Sequence, residues 1–271
     1  MRRFTWFNTT ALTLGFAFLY LPMLILIIFS FNESKLVTVW AGFSTKWYGE
    51  LFQNEAFLNA AWVTVKVAVL SSTLATVLGT MAAYVLVRAG RFSGRTLFSG
   101  MIYAPLVMPE VITGLSLLLL FIGIGLDRGV LTIVLAHTTF SMCYVSVVVS
   151  SRLVSFDRSL EEAALDLGCS PIEAFRLVTL PIIAPAVISG WLLAFTLSLD
   201  DLVIASFTSG PSATTLPIKI FSAVRLGVSP EINALSTIMI AIVATGVITA
   251  SIITKRSTLR QQAEERAAIK A

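Results

Sequence analysis

Residues 155–181 read Ser-Phe-Asp-Arg-Ser-Leu-Glu-Glu-Ala-Ala-Leu-Asp-Leu-Gly-Cys-Ser-Pro-Ile-Glu-Ala-Phe-Arg-Leu-Val-Thr-Leu-Pro, a polar segment between two long apolar stretches. Ser159 followed by Glu162 predicts a capping box, in which each side chain accepts a hydrogen bond from a backbone N–H of the first turn. Gly168 is typical of the left-handed residue that ends a helix. The pattern predicts a short amphipathic helix with an apolar stripe formed by Leu160, Ala163, Ala164 and Leu167.

A second helix is predicted directly after the first. Ser170 is a favourable N-cap residue, Pro171 suits the first helical position, and Glu173 completes a capping box. The apolar positions continue with helical spacing until Pro181, which we expect to interrupt the chain before the next apolar stretch. Two capped amphipathic helices within one loop predict a compact helix–turn–helix unit that is shaped to bind a partner.

Composition excludes several classes of protein. Of the 271 residues, 56% are hydrophobic and 13% are charged, whereas a soluble domain has about 25% charged residues. A soluble enzyme is therefore excluded. The net charge is only +4 and the basic residues are scattered, which argues against a nucleic-acid-binding protein. The two cysteines and one histidine have no spacing that indicates a metal site.

The apolar stretches on either side of the loop belong to a set of six. Each is long enough to cross a hydrocarbon core of about 30 Å as a helix. Because the backbone in lipid must satisfy its own hydrogen bonds, continuous apolar runs indicate helices. We therefore predict an all-α membrane protein with six transmembrane helices, at about residues 11–29, 62–87, 97–124, 130–149, 182–207 and 234–254.

The distribution of basic residues predicts the orientation of these helices. The N-terminus, loops 88–96 and 150–181 and the C-terminal tail together carry 13 of the 19 Lys and Arg residues, against 5 on the opposite side. The positive-inside rule then places both termini in the cytoplasm. The first stretch is long for a signal peptide and lacks a small-x-small cleavage site, so we interpret it as a membrane anchor.

The largest loop on the outer side covers about residues 30–58 and is rich in aromatic residues. We interpret these residues as an interfacial belt, with a docking surface for a partner as the alternative. The residues concerned are Trp40, Phe43, Trp47 and Tyr48.

Three acidic residues are predicted to lie within the membrane, where a carboxylate is costly unless it faces water or a partner. Glu110 follows two prolines that open the third helix, and Asp200 and Asp201 lie in the outer half of the fifth. These acids indicate an anionic lining for a cationic substrate. Adjacent helical residues point about 100° apart, so only one aspartate can face a central path squarely. Aromatic candidates for cation–π contacts are Tyr84, Tyr103, Trp191 and Phe195.

Structural roles compete with these functional ones. The acids have an alternative as interhelical partners of Lys66, Arg128 or Arg225. His137, the single histidine, is expected to be a hydrogen-bonded packing residue rather than a proton relay. Close contacts between helices are expected at Gly79, Gly114 and Gly190.

The 155–181 loop resembles the EAA loop of permease subunits of binding-protein-dependent ABC importers. The fixed residues of that pattern all match except Val178, which stands where the pattern has isoleucine. In that family the loop forms the coupling helix, which docks into a groove of the nucleotide-binding subunit, although capping alone would also explain Glu162. The ATPase-coupling residues that the resemblance implies are Glu162, Ala163, Ala164, Gly168, Leu180 and Pro181.

Further stretches resemble the permease subunits of bacterial polyamine (putrescine) ABC importers. These stretches are 34–42, 104–114, 197–203 and 209–217. The resemblance implies a type I importer permease fold, with a core at 59–255 that contains the coupling loop. An anchor helix and first periplasmic loop at 1–58 would precede it, and a charged cytoplasmic tail at 256–271 would follow.

The resemblance also implies a function and a set of partners. The chain would move a polyamine, putrescine first of all, across the bacterial inner membrane by alternating access. It would form a heterodimer with a second permease subunit and bind two ATP-binding subunits and a periplasmic polyamine-binding protein, all within membrane lipid. The chain has no G-x-x-x-x-G-K-[ST] phosphate loop, so we expect no catalysis and no cofactor here, with ATP and Mg²⁺ acting on the partner.

Two other classes of function remain as alternatives. A secondary transporter or channel for organic cations fits the number of helices and the buried acids, but gives no reason for the capped loop. An intramembrane enzyme is disfavoured because H-E-x-x-H and G-x-S-x-G are absent from the sequence.

Overall fold

The computed structural model describes residues 6–36, 39–227, 229–245 and 248. Helices are the regular elements of this part of the chain, joined by turns and loops and accompanied by one isolated β-bridge between Asn32 and Phe43. The predicted all-α architecture is therefore confirmed. The helices are α1 Trp6–Ser30, α2 Lys46–Gln53, α3 Glu55–Arg88, α4 Arg95–Val107, α5 Glu110–Gly123, α6 Val130–Ser155, α7 Ser159–Asp166, α8 Pro171–Ala174, a π-helix Phe175–Thr179, α9 Leu180–Asp200, α10 Val203–Thr208, α11 Leu216–Leu226 and α12 Pro230–Thr245.

Four helical segments in the described residues are long and apolar enough to cross a membrane: α1, α3, α6 and the continuous segment Pro171–Asp200. The pair α4 and α5 makes a fifth if it counts as one span. The predicted sixth span begins within α12, but its residues 246–247 and 249–254, and the remaining residues 255–271, lie outside the described part. The count of six is thus matched only in its first five members.

Two predicted helices are broken. The span predicted over 97–124, which two prolines were expected to open, bends by 117° between α4 and α5, across Met108 and Pro109. The fifth was expected to continue to residue 207, but α9 ends at Asp200 and α10 starts at Val203. Apolar composition runs across both breaks, so a hydropathy pattern cannot detect them.

The chain divides into two compact units, residues 56–221 and residues 1–55 with 222–271. The centre of the larger unit is Val145 on α6, which is fully buried and packs between α3 and α9. A Cβ on Gly79 of α3 would lie 2.8 Å from the Val145 Cβ, and one on Gly190 of α9 would lie 3.1 Å from its Cγ1. Small residues allow such close approach between membrane helices. The predicted packing role of both glycines is confirmed.

The predicted packing role of the third glycine, Gly114, is also confirmed. A Cβ on Gly114 of α5 would lie 2.6 Å from the ring of Phe207 in α10. This contact packs α10 against α5, so the short helix after the second break is held by the helix after the first.

The smaller unit contains an ordered loop after α1. The Asn32 side chain donates to the Val39 carbonyl at 2.7 Å and accepts from the Ala41 N–H at 2.9 Å. Trp47 is buried and its indole N–H donates to the Asn32 carbonyl at 2.6 Å, while the Tyr48 hydroxyl lies 2.7 Å from that of Ser30. Trp47 and Tyr48 therefore hold the loop together, and the prediction of an interfacial belt is wrong for Trp47.

We predict that Gly79→Val destabilises the larger unit, because its side chain would overlap the Met142 carbonyl, already 2.7 Å from the position of a Cβ. Overpacking of this kind costs about 1–3 kcal/mol. The control is Gly100→Val in α4, where a Cβ meets nothing within 4 Å. Thermal unfolding of the detergent-solubilised protein checks the prediction, and equal unfolding temperatures for the two variants would contradict it.

Candidate functional site

The first helix of the 155–181 loop, α7, starts differently from the prediction. Its N-cap is Arg158, without a capping side-chain bond, and the Asp157 carboxylate accepts from the Ser159 N–H at 3.0 Å. This hydrogen bond lowers the pKa of Asp157. The predicted capping box at Ser159 is wrong because Asp157, two residues earlier, already binds that N–H, and Glu162 instead pairs with Arg158 at 3.1 Å.

The end of α7 and the start of α8 follow the prediction. Gly168 has a φ of +92°, and its N–H binds the Leu165 carbonyl while the Cys169 N–H binds that of Ala164, the two bonds of a Schellman motif. Ser170 and Glu173 form the predicted capping box, in which the Ser170 N–H donates to the Glu173 carboxylate at 2.8 Å. That bond lowers the pKa of Glu173.

The two faces of α7 have unequal environments. Its buried residues are Glu161 and Ala164, at the i, i+3 spacing of one helix face. The neighbouring Glu162 has a side chain that is 60% exposed. The predicted apolar stripe is divided between the two environments, since Ala164 is buried whereas Leu160, Ala163 and Leu167 are exposed. An exposed apolar face on a short surface helix is suited to docking a partner.

The inward face of α7 meets the end of α3 in a buried polar cluster. The Glu161 carboxylate forms a salt bridge of 2.9 Å with the Arg88 Nε and accepts from the Thr179 hydroxyl at 2.7 Å. The Arg88 guanidinium also donates to the Phe156 carbonyl at 3.4 Å and lies 5.4 Å from the centre of its ring. A recess of about 120 Å³ adjoins this cluster and is lined in part by Tyr84 and Glu162. We call Arg88, Glu161 and Thr179 the Arg88 cluster.

Sequence reasoning missed the Arg88 cluster. The resemblance to the EAA loop of importer permeases singles out Glu162 and not its neighbour Glu161. The available signal was the spacing of Glu161 and Ala164, which predicts a shared face if Ala164 is buried.

The expectation that Pro181 interrupts the chain is wrong. The segment Pro171–Asp200 is one continuous helix that includes the π-helix, and Leu180 donates to the Phe175 carbonyl five residues back. Pro181 lies in the first turn of α9, directly after this wide turn. A proline and a π-turn together are a common cause of a local change in helix direction.

Glu110 is the first residue of α5, immediately after the break at Pro109, and its side chain is exposed. A carboxylate in the first turn of a helix is stabilised by the partial positive charge there. The free N–H groups of Ile112 and Thr113 are satisfied by the Pro109 carbonyl. The break therefore presents an exposed carboxylate at the start of a helix.

Asp201 lies in the second break, and its side chain is only 10% exposed. One carboxylate oxygen accepts from the Ile204 N–H at 3.0 Å and thereby caps the first turn of α10. The other lies 3.2 Å from the His137 Nε2 of α6. This contact is electrostatic, without the alignment of a hydrogen bond. The interhelical partner of Asp201 is thus His137, whereas the sequence indicated Lys66, Arg128 or Arg225 as candidates.

Two serines extend this contact across three helices. The His137 Nδ1 lies 2.7 Å from the Ser198 hydroxyl of α9, which accepts from the Ser71 hydroxyl of α3 at 3.1 Å. All four side chains are largely buried. Because a carboxylate only accepts, the proton of a neutral His137 belongs on Nε2, and Ser198 then donates to Nδ1. His137 is a hydrogen-bonded packing residue, as predicted.

The remaining predicted site residues lie in separate places. Asp200 is the last residue of α9 and is exposed, in contrast to Asp201. Trp191 stacks on Phe195 with ring centres 5.1 Å apart and donates to the Thr73 hydroxyl at 3.1 Å. Tyr84 lies beside the Arg88 cluster, where it packs edge-on against Phe175. Tyr84 is thirteen residues from Ser71 on one helix, about 20 Å at 1.5 Å per residue.

Comparison with known proteins decides the family. Residues 75–261 match the family described as "Binding-protein-dependent transport system inner membrane component". The chain belongs to this family. It is 62% identical over 238 residues to the putrescine transport system permease protein PotI of Escherichia coli K12, covering 86% of this chain and 85% of that protein. It is 44% identical to the spermidine/putrescine transport system permease protein PotC of Haemophilus influenzae, covering 89% and 94%.

Solved structures agree with this assignment at the level of the fold. A chain of a bacterial ABC transporter that imports the acidic polysaccharide alginate has a TM-score of 0.69 at 17% identity, covering 92% of this chain and 94% of that one. A chain of an amino acid ABC transporter has a TM-score of 0.56, also at 17% identity. The predicted permease fold is therefore confirmed, and the chain is a multi-pass inner-membrane component of a transport system.

We predict that Asp201→Ala destabilises the protein whereas Asp200→Ala does not. The first variant removes the cap of α10 and leaves the buried His137 Nε2 without its partner, and an unsatisfied buried polar group costs about 1–3 kcal/mol. The second removes an exposed side chain, where changes stay within about 0.5 kcal/mol. Thermal unfolding in detergent measures both, and a smaller loss for Asp201→Ala than for Asp200→Ala would contradict the prediction.

Proposed function

We propose that the chain is one of two permease subunits of an ATP-driven importer that carries putrescine across the inner membrane by alternating access. The observation that carries this proposal is the 62% identity to a putrescine permease over 86% of the chain. The substrate class follows from that relative and from a second one named for both spermidine and putrescine. Both termini lie in the cytoplasm, in accord with the distribution of Lys and Arg.

Two exposed carboxylates support a cationic substrate. Glu110 and Asp200 each stand next to a helix break, one at the start of α5 and the other at the end of α9. Carboxylates at membrane depth are costly and mark sites that use their charge. Putrescine carries an ammonium group at each end of a flexible apolar chain, so separated carboxylates suit it better than one dense cluster. Asp201 supports these residues by fixing the break between α9 and α10.

The aromatic pair Trp191 and Phe195 adds an apolar surface to this path. Their stacked rings lie five and nine residues before Asp200 on the same helix, about one and a half to two and a half turns. Such rings contact the methylene chain of a polyamine and attract its ammonium groups through cation–π interactions. Tyr84, beside the Arg88 cluster, belongs to the other end of the path.

The outward face of the 155–181 loop is the proposed docking surface for the ATPase subunits. It combines Glu162 with apolar side chains that are exposed in the described part of the chain, among them Leu160, Leu167 and Ile172. Gly168 turns the chain between α7 and α8, and Leu180 and Pro181 begin α9 at the base of the loop. ATP and Mg²⁺ act on the partner subunits, and this chain converts their movement into opening and closing of the path.

The assembly that this function requires has four kinds of subunit. A second permease chain supplies the other half of the path, two ATP-binding subunits dock on the loops, and a periplasmic binding protein delivers the polyamine.

The test is uptake of labelled putrescine by proteoliposomes that contain the complex purified with its co-encoded subunits, with the binding protein outside. We expect uptake with ATP and Mg²⁺ inside and none with a non-hydrolysable analogue. Uptake driven by an ion gradient in the absence of ATP would contradict the proposal and favour a secondary transporter or channel.

We predict that Glu110→Gln lowers putrescine uptake by about tenfold while the complex assembles normally. The variant keeps the shape of the side chain and removes one charge at the path, and a tenfold loss corresponds to about 1.4 kcal/mol. The matched control is Asp127→Asn, an exposed acid in the loop between α5 and α6. Uptake at the level of the control would remove Glu110 from the path.

A further inference from the structure

We propose that Glu161, and not only its neighbour Glu162, is required for coupling, because it joins the docking helix α7 to α3 and α9. This inference rests on the proposed function, since it concerns how movement of the loop reaches the membrane helices. Glu161 acts as a positioning residue through Arg88 and Thr179. It lies one residue before the position that the resemblance to importer permeases singles out.

The first argument is geometric. The Glu161 carboxylate uses both oxygens, one in the 2.9 Å salt bridge to Arg88 at the end of α3 and the other for the 2.7 Å hydrogen bond from Thr179. The side chains of Arg88 and Glu161 are 12% and 10% exposed, and Thr179 is fully buried. One carboxylate thus binds two separate helical segments within the protein interior.

The second argument is the weak attachment of α7 by other means. The helix has eight residues, of which only Glu161 and Ala164 are buried. Ala164 contributes a single methyl group to packing, so the hydrogen-bonded carboxylate is the principal side-chain link from the inward face. A short helix attached in this way moves together with the groups that its one buried acid binds.

The third argument is where the two bound segments lead. Arg88 is seventeen residues from Ser71 along α3, and Thr179 is nineteen residues from Ser198 along the π-helix and α9. Both distances are about 25–30 Å at 1.5 Å per residue. At those positions, in the middle of α3 and near the end of α9, Ser71 donates to Ser198 beside His137 and the break at Asp201. Glu161 therefore closes one end of a helix pair whose other end is the buried polar cluster next to Asp200.

Arg88 also binds the chain that leads into α7. Its guanidinium contacts the carbonyl and the ring of Phe156, in the turn between α6 and α7. Displacement of α7 by a docked partner would pull on α3 through Arg88 and on α9 through Thr179 in the same step. A purely apolar contact would allow α7 to slide, since it has no preferred direction, whereas a paired charge in the interior resists separation.

The experiment uses the complete complex in proteoliposomes and measures the amount of putrescine taken up per ATP hydrolysed. Glu161→Gln and Arg88→Gln are each expected to lower this ratio by about tenfold in complexes that still assemble. The ratio in the double variant is expected to be no lower than in either single variant, because both single variants break the same link between α7 and α3. Asp166→Asn, an exposed acid at the end of α7, is the control.

Three results would overturn the inference. The first is an unchanged ratio of putrescine uptake to ATP hydrolysis in Glu161→Gln, and the second is additive losses of this ratio in the double variant. The third is a parallel fall of uptake, ATP hydrolysis and unfolding temperature, which a merely structural role would produce. If Arg88→Gln does not assemble, Thr179→Val, which removes one hydroxyl at similar volume, replaces it in the same cycle. Absence of ATP-driven uptake by the unaltered complex would overturn the proposed function itself, whereas normal uptake with unchanged ratios in the variants would overturn only the role of Glu161.

Discussion

The close approach of α3 and α9 to Val145 on α6 is the constraint on which the interior of the larger unit depends. Lipid chains are as apolar as the side chains they surround, so membrane helices associate through close packing and hydrogen bonds rather than through the hydrophobic effect. Gly79 and Gly190 make that packing possible because a larger residue at either position would collide with Val145 or the adjacent backbone. The same proximity brings the hydroxyls of Ser71 and Ser198 within hydrogen-bonding distance of each other. A hydrogen bond tolerates only a few tenths of an ångström, so the polar cluster exists because the helices are this close.

The two helix breaks follow from a second physical requirement, that backbone groups at membrane depth need partners. At the first break, the Pro109 carbonyl accepts from two N–H groups of α5, and the proline itself has no N–H to satisfy. At the second, the Asp201 carboxylate accepts from the Ile204 N–H. In each case the residue that satisfies the break stands next to an exposed acid, Glu110 or Asp200. The breaks thus create positions where charge is presented beside a partly satisfied helix start.

Sequence reasoning predicted some features whose signal is local, missed the hydrogen bond from the Ser159 N–H to the Asp157 carboxylate, and failed where the decision is made by tertiary contacts. The capping box at Ser170 and the turn at Gly168 depend on residues within four positions of each other, and both are confirmed. The adjacent acids Asp200 and Asp201 have nearly the same local sequence environment. Only the position of His137 on another helix makes one of them buried and leaves the other exposed. A single sequence carries no information on that pairing, because the two residues are 64 positions apart.

The neighbours Glu161 and Glu162 in the loop are, like Asp201 and Asp200, one buried and one exposed acid. In the loop this difference affects how movement of α7 reaches the membrane helices. Consecutive side chains on a helix point about 100° apart, so a pair of acids on one short helix can address two environments at once. Glu162 stands on the exposed face with Arg158, whereas Glu161 enters the interior and binds Arg88 and Thr179. A partner that grips the outer face of α7 therefore acts on a helix whose opposite face is fixed to α3 and to the start of α9. Those two helices also supply Ser71 and Ser198 to the cluster beside the second break, so the loop and the charged break are connected by rigid helices and not by flexible chain.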